Sequence, residues 1–419
     1  MRRIWIGLAA VCVIVGLAAL AVFSGLTDRS VVNRTVDQPL SSEQMKALAP
    51  KGRYLAVAAD CVACHTDKGG PAWGGGMAFA TPMGTIYATN ISPDKETGIG
   101  QYSRAEFHRA VRDGIGKHGY LYPAMPYTSY RLMAPDDVDA IYAYLITREP
   151  IPLANKPTTI PFPMNIRRFM TFWDMVNLSG EAALPGEQNR SAAWNRGNYL
   201  VNALGHCGEC HTPRNLMMAM KPSQQFKGAV LEGIEAPDIT PPALKALGFD
   251  YPSLAQFMKT GIGAQGAMTH QMFDVVHHST QHLTDEDLTA MATYLLGDDA
   301  GPAKMPVTDG KSRGPEAGRR VYVEVCSGCH GSDGEGIPNV SVPMRTNTTL
   351  RLASPRNFLQ AVLHGLPEQE FPGERRMQPM PGFANKLTDQ QITDLTNWMR
   401  ATWGGQATDV TSDVVAKAR

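Results

Sequence analysis

Three times in this chain two cysteines stand three positions apart, with a histidine directly after the second. They are Cys61, Cys64 and His65 in CVACH, Cys207, Cys210 and His211 in CGECH, and Cys326, Cys329 and His330 in CSGCH. Six of the seven cysteines are used this way, which leaves no even set for structural disulfides. On a helical turn, positions i, i+3 and i+4 share one face. Two thiols so placed can each add to a vinyl group of one porphyrin, and the next side chain, an imidazole, then meets the iron. The spacing therefore reads as covalent c-type haem attachment. A zinc site would need a second pair of ligands nearby, and each pair here stands alone in its segment. A redox dithiol would lie in a βαβ pattern, and none is visible.

The motif belongs to a longer repeat. Each CxxCH follows a short helical pattern: GRYLAVAADC, RGNYLVNALGHC and AGRRVYVEVC. A Gly/Pro-rich stretch comes next, and then a middle helix: SRAEFHRAVRDG, SLAQFMKTG and NFLQAVLHG. An amphipathic helix closes each repeat: APDDVDAIYAYL, LTDEDLTAMATYL and LTDQQITDLTNWM. Capping boxes are expected at Thr284 with Asp287 and at Thr388 with Gln391. The 419 residues suffice for about three domains, and the repeats run over 45–149, 191–297 and 312–405. Domains of this size bury little core unaided, and a haem supplies each with a large apolar centre. The fold expected is all-α, three tandem haem-binding domains behind an N-terminal hydrophobic segment.

The ligand opposite each histidine decides what the iron can do, because a sulfur there closes the iron and raises its potential. The first middle helix ends at Gly114 and Met125 lies eleven residues on; the second ends at Gly261 and Met272 lies eleven residues on. In the third repeat Met380 falls 50 residues past His330. Pro126 and Pro381 follow their methionines and restrict the loop. Met125, Met272 and Met380 are thus the expected sixth ligands, with Met268 and Met377 as competitors in repeats two and three. His118 and His270 sit at unmatched offsets and read as loop histidines. His108, His277, His278, His282 and His364 read as helix or surface residues. Arg214 is either a partner for a haem propionate or a solvated surface residue. The glycine-rich WGGGMAF near Trp73 reads as a loop over the first haem.

Arg2 and Arg3 precede an uncharged run from Ile4 to Leu26. Residues 1–26 are long enough for an anchor of about 20 residues, while Ala19-Leu20-Ala21 offers a cleavage site for a secretory signal. Either way the basic end stays cytoplasmic and the rest is exported to the periplasmic side of the cytoplasmic membrane. Cys12 lies within this run and reads as a bystander. Residues 150–190 form a Pro-rich linker that continues into an aromatic stretch with Phe169, Phe172 and Trp173, expected to pack between the first two modules. Residues 298–311 read as a polar connector, and 406–419 as a polar tail. Lys plus Arg and Asp plus Glu both number 39, so nothing favours nucleic acid.

No dinucleotide fingerprint, P-loop, zincin motif or nucleophile elbow is present. The chain carries electrons but shows no place of its own to oxidise a substrate. The segments DCVACHT, ATNISPDKETGIGQYS, RGNYLVNALGHCGECHTPRN and LTDEDLTAMATYL resemble the triheme cytochrome c subunits of bacterial membrane-bound alcohol, gluconate, sugar and aldehyde dehydrogenases. The resemblance covers nearly the whole exported part. It implies three class I cytochrome c domains with the ligand pairs His65/Met125, His211/Met272 and His330/Met380. It also implies a flavin, quinoprotein or molybdenum catalytic subunit as electron donor, and ubiquinone or another respiratory carrier, a downstream cytochrome among them, as acceptor. Some relatives end in a membrane-associating segment, from which the polar tail here departs. A multihaem peroxidase and a cytochrome subunit of a terminal oxidase are the competing readings; the first needs an open iron, the second a firmer anchor.

Overall fold

The computed structural model describes residues 34–178, 186–298 and 314–419, with isolated positions outside these stretches. Most of the leader 1–26 and of the connector 298–311 therefore lies outside the described residues. Among the described residues no helix is long and apolar enough to cross a membrane. Helices dominate, as expected. The departure from an all-α reading is a set of small antiparallel hairpins, five among the described residues, each of two strands. The chain divides into two compact units, residues 1–186 with 202–206, and residues 187–201 with 207–419. All of the third repeat and all of the second except residues 202–206 fall in the latter.

In the first unit Ser41 opens helix α1 (Ser42–Ala58) with a complete capping box, its side chain accepting from the Gln44 amide while Gln44 reaches back. The CxxCH turn forms α2 (Cys61–Cys64). Hairpin β1–β2 (Ala78–Thr81, Gly84–Tyr87) leads to the middle helix α3 (Arg104–Asp113), which Ser103 and Glu106 box in and Gly114 ends in the left-handed conformation. A tight hairpin, β3–β4 (Ile115–Gly116, Gly119–Tyr120), precedes the short α4 (Tyr127–Tyr130) and the closing helix α5 (Pro135–Ile146). Helix α1 crosses α5 at Gly52, so closely that a Cβ there would collide with the Ala140 carbonyl and press on Tyr144. Only glycine permits that approach.

The linker after α5 is not a free tether. Asn90 donates its side-chain amide to the carbonyls of Ile151 (2.7 Å) and Leu153 (3.2 Å), and Thr159 bonds Thr85 through backbone and side chain, so 150–160 is sewn along the first module. Helix α6 (Met170–Asn177) buries Met170 and Trp173 and leaves Phe172 51% and Phe169 38% exposed. Trp173 lies edge-on to Tyr127, whose hydroxyl donates to Asp174 at 2.8 Å. Of the three aromatics read as inter-module packing, Trp173 joins the first module, while Phe169 and Phe172 present themselves to solvent.

A buried ion cluster holds α3 against α5. Asp139, 4% exposed, accepts from Arg104 Nε (2.6 Å) and Nη2 (2.5 Å) and contacts His108 Nε2 at 2.8 Å. Burial alone would push this carboxyl up, but the hydrogen bonds from Arg104 and His108 outweigh it and hold it at about 2. The stability this depressed carboxyl contributes is fully present above the ordinary aspartate value and is lost as pH falls toward 2. Asp139→Asn is expected to destabilise the first unit by about 3 kcal/mol at neutral pH, because it removes the buried carboxylate that Arg104 and His108 bond. It should also flatten the acid limb of stability between pH 4 and 2, which urea titration across that range would read.

The second unit repeats the plan twice. Helix α7 (Ala192–Tyr199) runs into a π-turn over Leu200–Leu204 and then the CxxCH turn α8 (Gly208–His211). Hairpin β5–β6 (Ala229–Leu231, Ile234–Ala236), α9 (Pro241–Ala246), the middle helix α10 (Tyr251–Thr260), hairpin β7–β8 (Ile262–Gly263, Gly266–Ala267), α11 (Gln271–His278) and the closing α12 (Asp285–Leu296) follow. The third segment has α13 (Glu316–Val321), a π-turn, the CxxCH turn α14 (Ser327–His330), the middle helix α15 (Arg356–His364), hairpin β9–β10 (Gln369–Phe371, Arg375–Met377) and the closing α16 (Asp389–Met399). Thr388 and Gln391 form the full capping box; Thr284 accepts from the Asp287 amide. Gly197 meets the Ala290 carbonyl and Tyr294, and Gly318 meets the Asp394 carbonyl and Trp398, in the manner of Gly52. The crossing is thus the same three times, a glycine on a carbonyl with an aromatic residue one turn later.

The tail, expected to be merely polar, forms α17 (Ser412–Ala418). It buries Val415 completely, and Val410 just before it, in the third core with Trp398, Trp403 and Tyr322. Its polar composition hides one apolar face.

Candidate haem sites

On the histidine side of each site the backbone arrangement is common to all three repeats. The carbonyl of each CxxCH histidine accepts a hydrogen bond from a left-handed glycine: His65 from Gly75 (2.9 Å), His211 from Gly228 (2.8 Å) and His330 from Gly336 (2.9 Å). Each glycine is pressed against a returning segment of backbone, at Thr89–Asn90, Ala236–Asp238 and Val342–Pro343 respectively. That same segment faces the imidazole. His65 Nδ1 lies 2.6 Å from the Thr89 carbonyl and His211 Nδ1 2.7 Å from the Pro237 carbonyl. His330 Nδ1 is buried beside Val342 and makes no well-formed hydrogen bond there.

Burial lowers the pKa of all three imidazoles, with the facing backbone carbonyls opposing it. A neutral ring that donates Nδ1–H to a carbonyl keeps the Nε2 lone pair free for a metal, and the carbonyl fixes the ring's orientation. The leading cysteines are the counterpart. Cys61, Cys207 and Cys326 keep some surface, yet the protein around each sulfur desolvates it enough to push the thiol up to about 12. Such thiols are poor thiolates and poor redox nucleophiles. Among the described residues no disulfide joins any of the six. Soft sulfur and neutral imidazole fit a covalently held haem, and among the described residues no group of three or more Cys, His, Asp or Glu is placed to hold a metal ion by itself.

On the methionine side each strap is tied down differently. Met125 is followed by Pro126, and then by α4, whose Tyr130 hydroxyl donates to the Ala59 carbonyl at 2.5 Å and also bonds Cys61. Tyr130 therefore draws the Met125 loop to the first CxxCH. Tyr127, two residues past Met125, packs its ring on the face of Gly114. In the third segment Met380 exchanges both backbone hydrogen bonds with Leu366, 2.9 Å each. It packs on the same apolar cluster as Cys326 and Val342. Met377 instead lies in β10, paired to Gln369.

In the second segment register separates the two methionines. Met268 donates its amide to Gly261 at 2.7 Å, as Leu121 does to Gly114 at 2.7 Å. Hairpins β3–β4 and β7–β8 share that register, Ile115 opposite Tyr120 and Ile262 opposite Ala267. Met268 thus takes the place of Leu121, while Met272 follows four residues on, within α11.

Other residues singled out in the sequence have different roles. Arg214 is partly exposed and is tied into its own loop. Its guanidinium bonds Glu209 (2.8 Å), the Glu209 carbonyl (2.7 Å) and the Met218 carbonyl (2.7 Å), closing the loop that holds Leu216 and Met218 out in solvent. His108 belongs to the Asp139 cluster. The six glycines of the crossings and the histidine clamps escaped the sequence reading. The signal for three of them was there, an interior helical glycine eight to ten residues ahead of every CxxCH.

The family model for cytochrome c matches residues 37–149 and 315–403. The chain is 38% identical over 395 residues to the gluconate 2-dehydrogenase cytochrome c subunit of Pantoea cypripedii, spanning 89% of this chain and 90% of that one. It is 34% identical over 412 residues to the fructose dehydrogenase cytochrome subunit of Gluconobacter japonicus, 91% of this chain and 85% of that one. Against the cytochrome c subunit of the quinone-dependent alcohol dehydrogenase of Gluconobacter oxydans it is 35% identical over 386 residues, 86% of this chain and 80% of that one.

Proposed function

This chain belongs to the family of cytochrome c subunits of dehydrogenase complexes and is an electron-transfer subunit with covalent haem c, and we propose that it carries three such haems in series. Cys61/Cys64, Cys207/Cys210 and Cys326/Cys329 hold the porphyrins, and the axial pairs are His65/Met125, His211/Met272 and His330/Met380. The observation that supports three is the recurrence of the glycine-on-histidine-carbonyl arrangement at Gly75, Gly228 and Gly336. The electron donor in this reading is the catalytic subunit of a flavin, quinoprotein or molybdenum dehydrogenase, and the acceptor a quinone or downstream cytochrome. The chain works on the periplasmic side of the cytoplasmic membrane, with the apolar run Ile4–Leu26 as its leader or anchor.

When bound, each haem supplies a one-electron couple. The chain's own residues decide how that couple behaves. The carbonyls of Thr89 and Pro237 orient the proximal rings. Thioether ligation would leave no open coordination position, which suits transfer of electrons over chemistry on peroxide. Pyridine haemochrome analysis of the full chain, set against protein concentration, is expected to return three haems per chain, retained after acid–acetone extraction. Two per chain, or pigment released by the extraction, would sink the proposal. Purification of the full chain from its native membranes should bring down a dehydrogenase catalytic subunit with it.

A further inference from the structure

Each middle helix ends on a left-handed glycine, and something must cover that glycine's bare face. In the first segment it is Tyr127, from the methionine strap itself. In the third it is the strap backbone at Met380–Gly382. In the second segment the strap helix supplies Val276, and a ring from the following segment lies closer still. The face of Gly261 is covered by the ring of Phe371, whose nearest carbon lies 2.9 Å from where a Cβ would sit, with Val276 of α11 beside it. Phe371 comes from β9 of the third segment, is 4% exposed, and meets Phe273 edge-on with centroids 5.3 Å apart.

Phe273 directly follows Met272. The same neighbour also braces the turn between Gly261 and Met272. Thr348 donates its amide (2.9 Å) and hydroxyl (3.2 Å) to the Gln265 carbonyl, and Asn347 packs on Gly266. Hairpin β7–β8 and the start of α11 are therefore held at both ends by residues from the following segment.

The geometry points to Phe371 as a positioning residue for Met272, so that the third segment completes the axial site of the second. This rests on Met272 being the ligand of the second haem. An edge-to-face aromatic pair resists rotation of both rings, and an axial ligand on a loop depends on such outer support to stay on its metal. Removing the ring leaves a cavity between Gly261, Val276 and Phe273 into which α11 can relax, drawing the thioether away.

The test uses the haem-loaded full chain and two readouts that mere loss of stability would not move selectively. These are the far-red charge-transfer band of methionine-ligated ferric haem, and carbon monoxide binding to the ferrous protein. Met272→Ala is expected to remove about a third of the band and open one haem to carbon monoxide. Phe371→Ala should do the same, with three haems per chain retained, and Phe371→Leu should restore most of the band.

The double variant Met272→Ala/Phe371→Ala should lose no more than either single one, because both act on one iron. A loss of about two thirds in the double variant would place the effect of Phe371 on another haem and overturn the proposal. So would a full band in Phe371→Ala beside a reduced one in Met272→Ala, which would leave the ligand assignment standing. A full band in Met272→Ala would sink the ligand assignment itself, and the proposal with it.

Discussion

Gly197→Ala is expected to lower the stability of the second unit by about 3 kcal/mol or more, above the usual range for one added methylene in a core. The reason is the identity of the obstacle. The new Cβ would collide with the Ala290 carbonyl and come within 2.8 Å of the Tyr294 Cβ. A side chain in that place might rotate away, but a carbonyl inside α12 is fixed by its helix, so α7 and α12 must separate. Trp194 and Phe226, which both pack on Tyr294, would lose contact together. Denaturant unfolding of the haem-loaded chain checks this. Gly301→Ala, with nothing within 4 Å, serves as the control and should stay within about 0.5 kcal/mol of the parent. Equal behaviour of the two variants would show that the crossing has slack and that the glycine is dispensable.

Gly365→Ala should act on the third axial site with little effect on haem content. Gly365 has φ +76° and ψ −177°, a region essentially reserved for glycine that costs another residue on the order of 1–3 kcal/mol. Its Cβ would also strike the Met380 carbonyl and crowd the Gly382 amide. The two hydrogen bonds between Leu366 and Met380 sit at that point, so the strap must lift. The expected result is loss of about a third of the methionine-to-iron charge-transfer band, with all three haems still attached through their thioethers. An unchanged band would mean that Met380 is not the ligand, or that the strap yields without moving its sulfur. Met380→Ala distinguishes the two.

Much of this architecture is legible from residue spacing. The CxxCH turns, the middle helices ending at Gly114, Gly261 and Gly365, and the capped closing helices follow from periodicity and capping chemistry acting over a few residues. The matched offsets from Gly114 and Gly261 begin in two hairpins of identical register, although Met125 then stands in a bend before α4 and Met272 within α11. Contacts between distant segments are what spacing does not carry. Nothing near Gly261 announces that its cover comes from Phe371, more than a hundred residues later. The bonding of Arg214 to Glu209 and Met218 depends on how that loop folds back. The tail was misread for a related reason. Seven residues with two adjacent valines, Val414 and Val415, show too short a pattern to reveal a buried face.

The second and third segments share more than an adjacent position. Asn357 gives and takes hydrogen bonds with the Glu235 backbone, 2.8 Å each, alongside the Thr348 and Phe371 contacts. Anyone wishing to trim this polypeptide into single-pigment conductors for electrodes would meet an unequal molecule. Excising the middle stretch alone would strip hairpin β7–β8 and Phe273 of their Thr348, Asn347 and Phe371 contacts, whereas keeping residues 187–419 in one piece preserves them. The useful minimal fragment of its C-terminal half is therefore a pair.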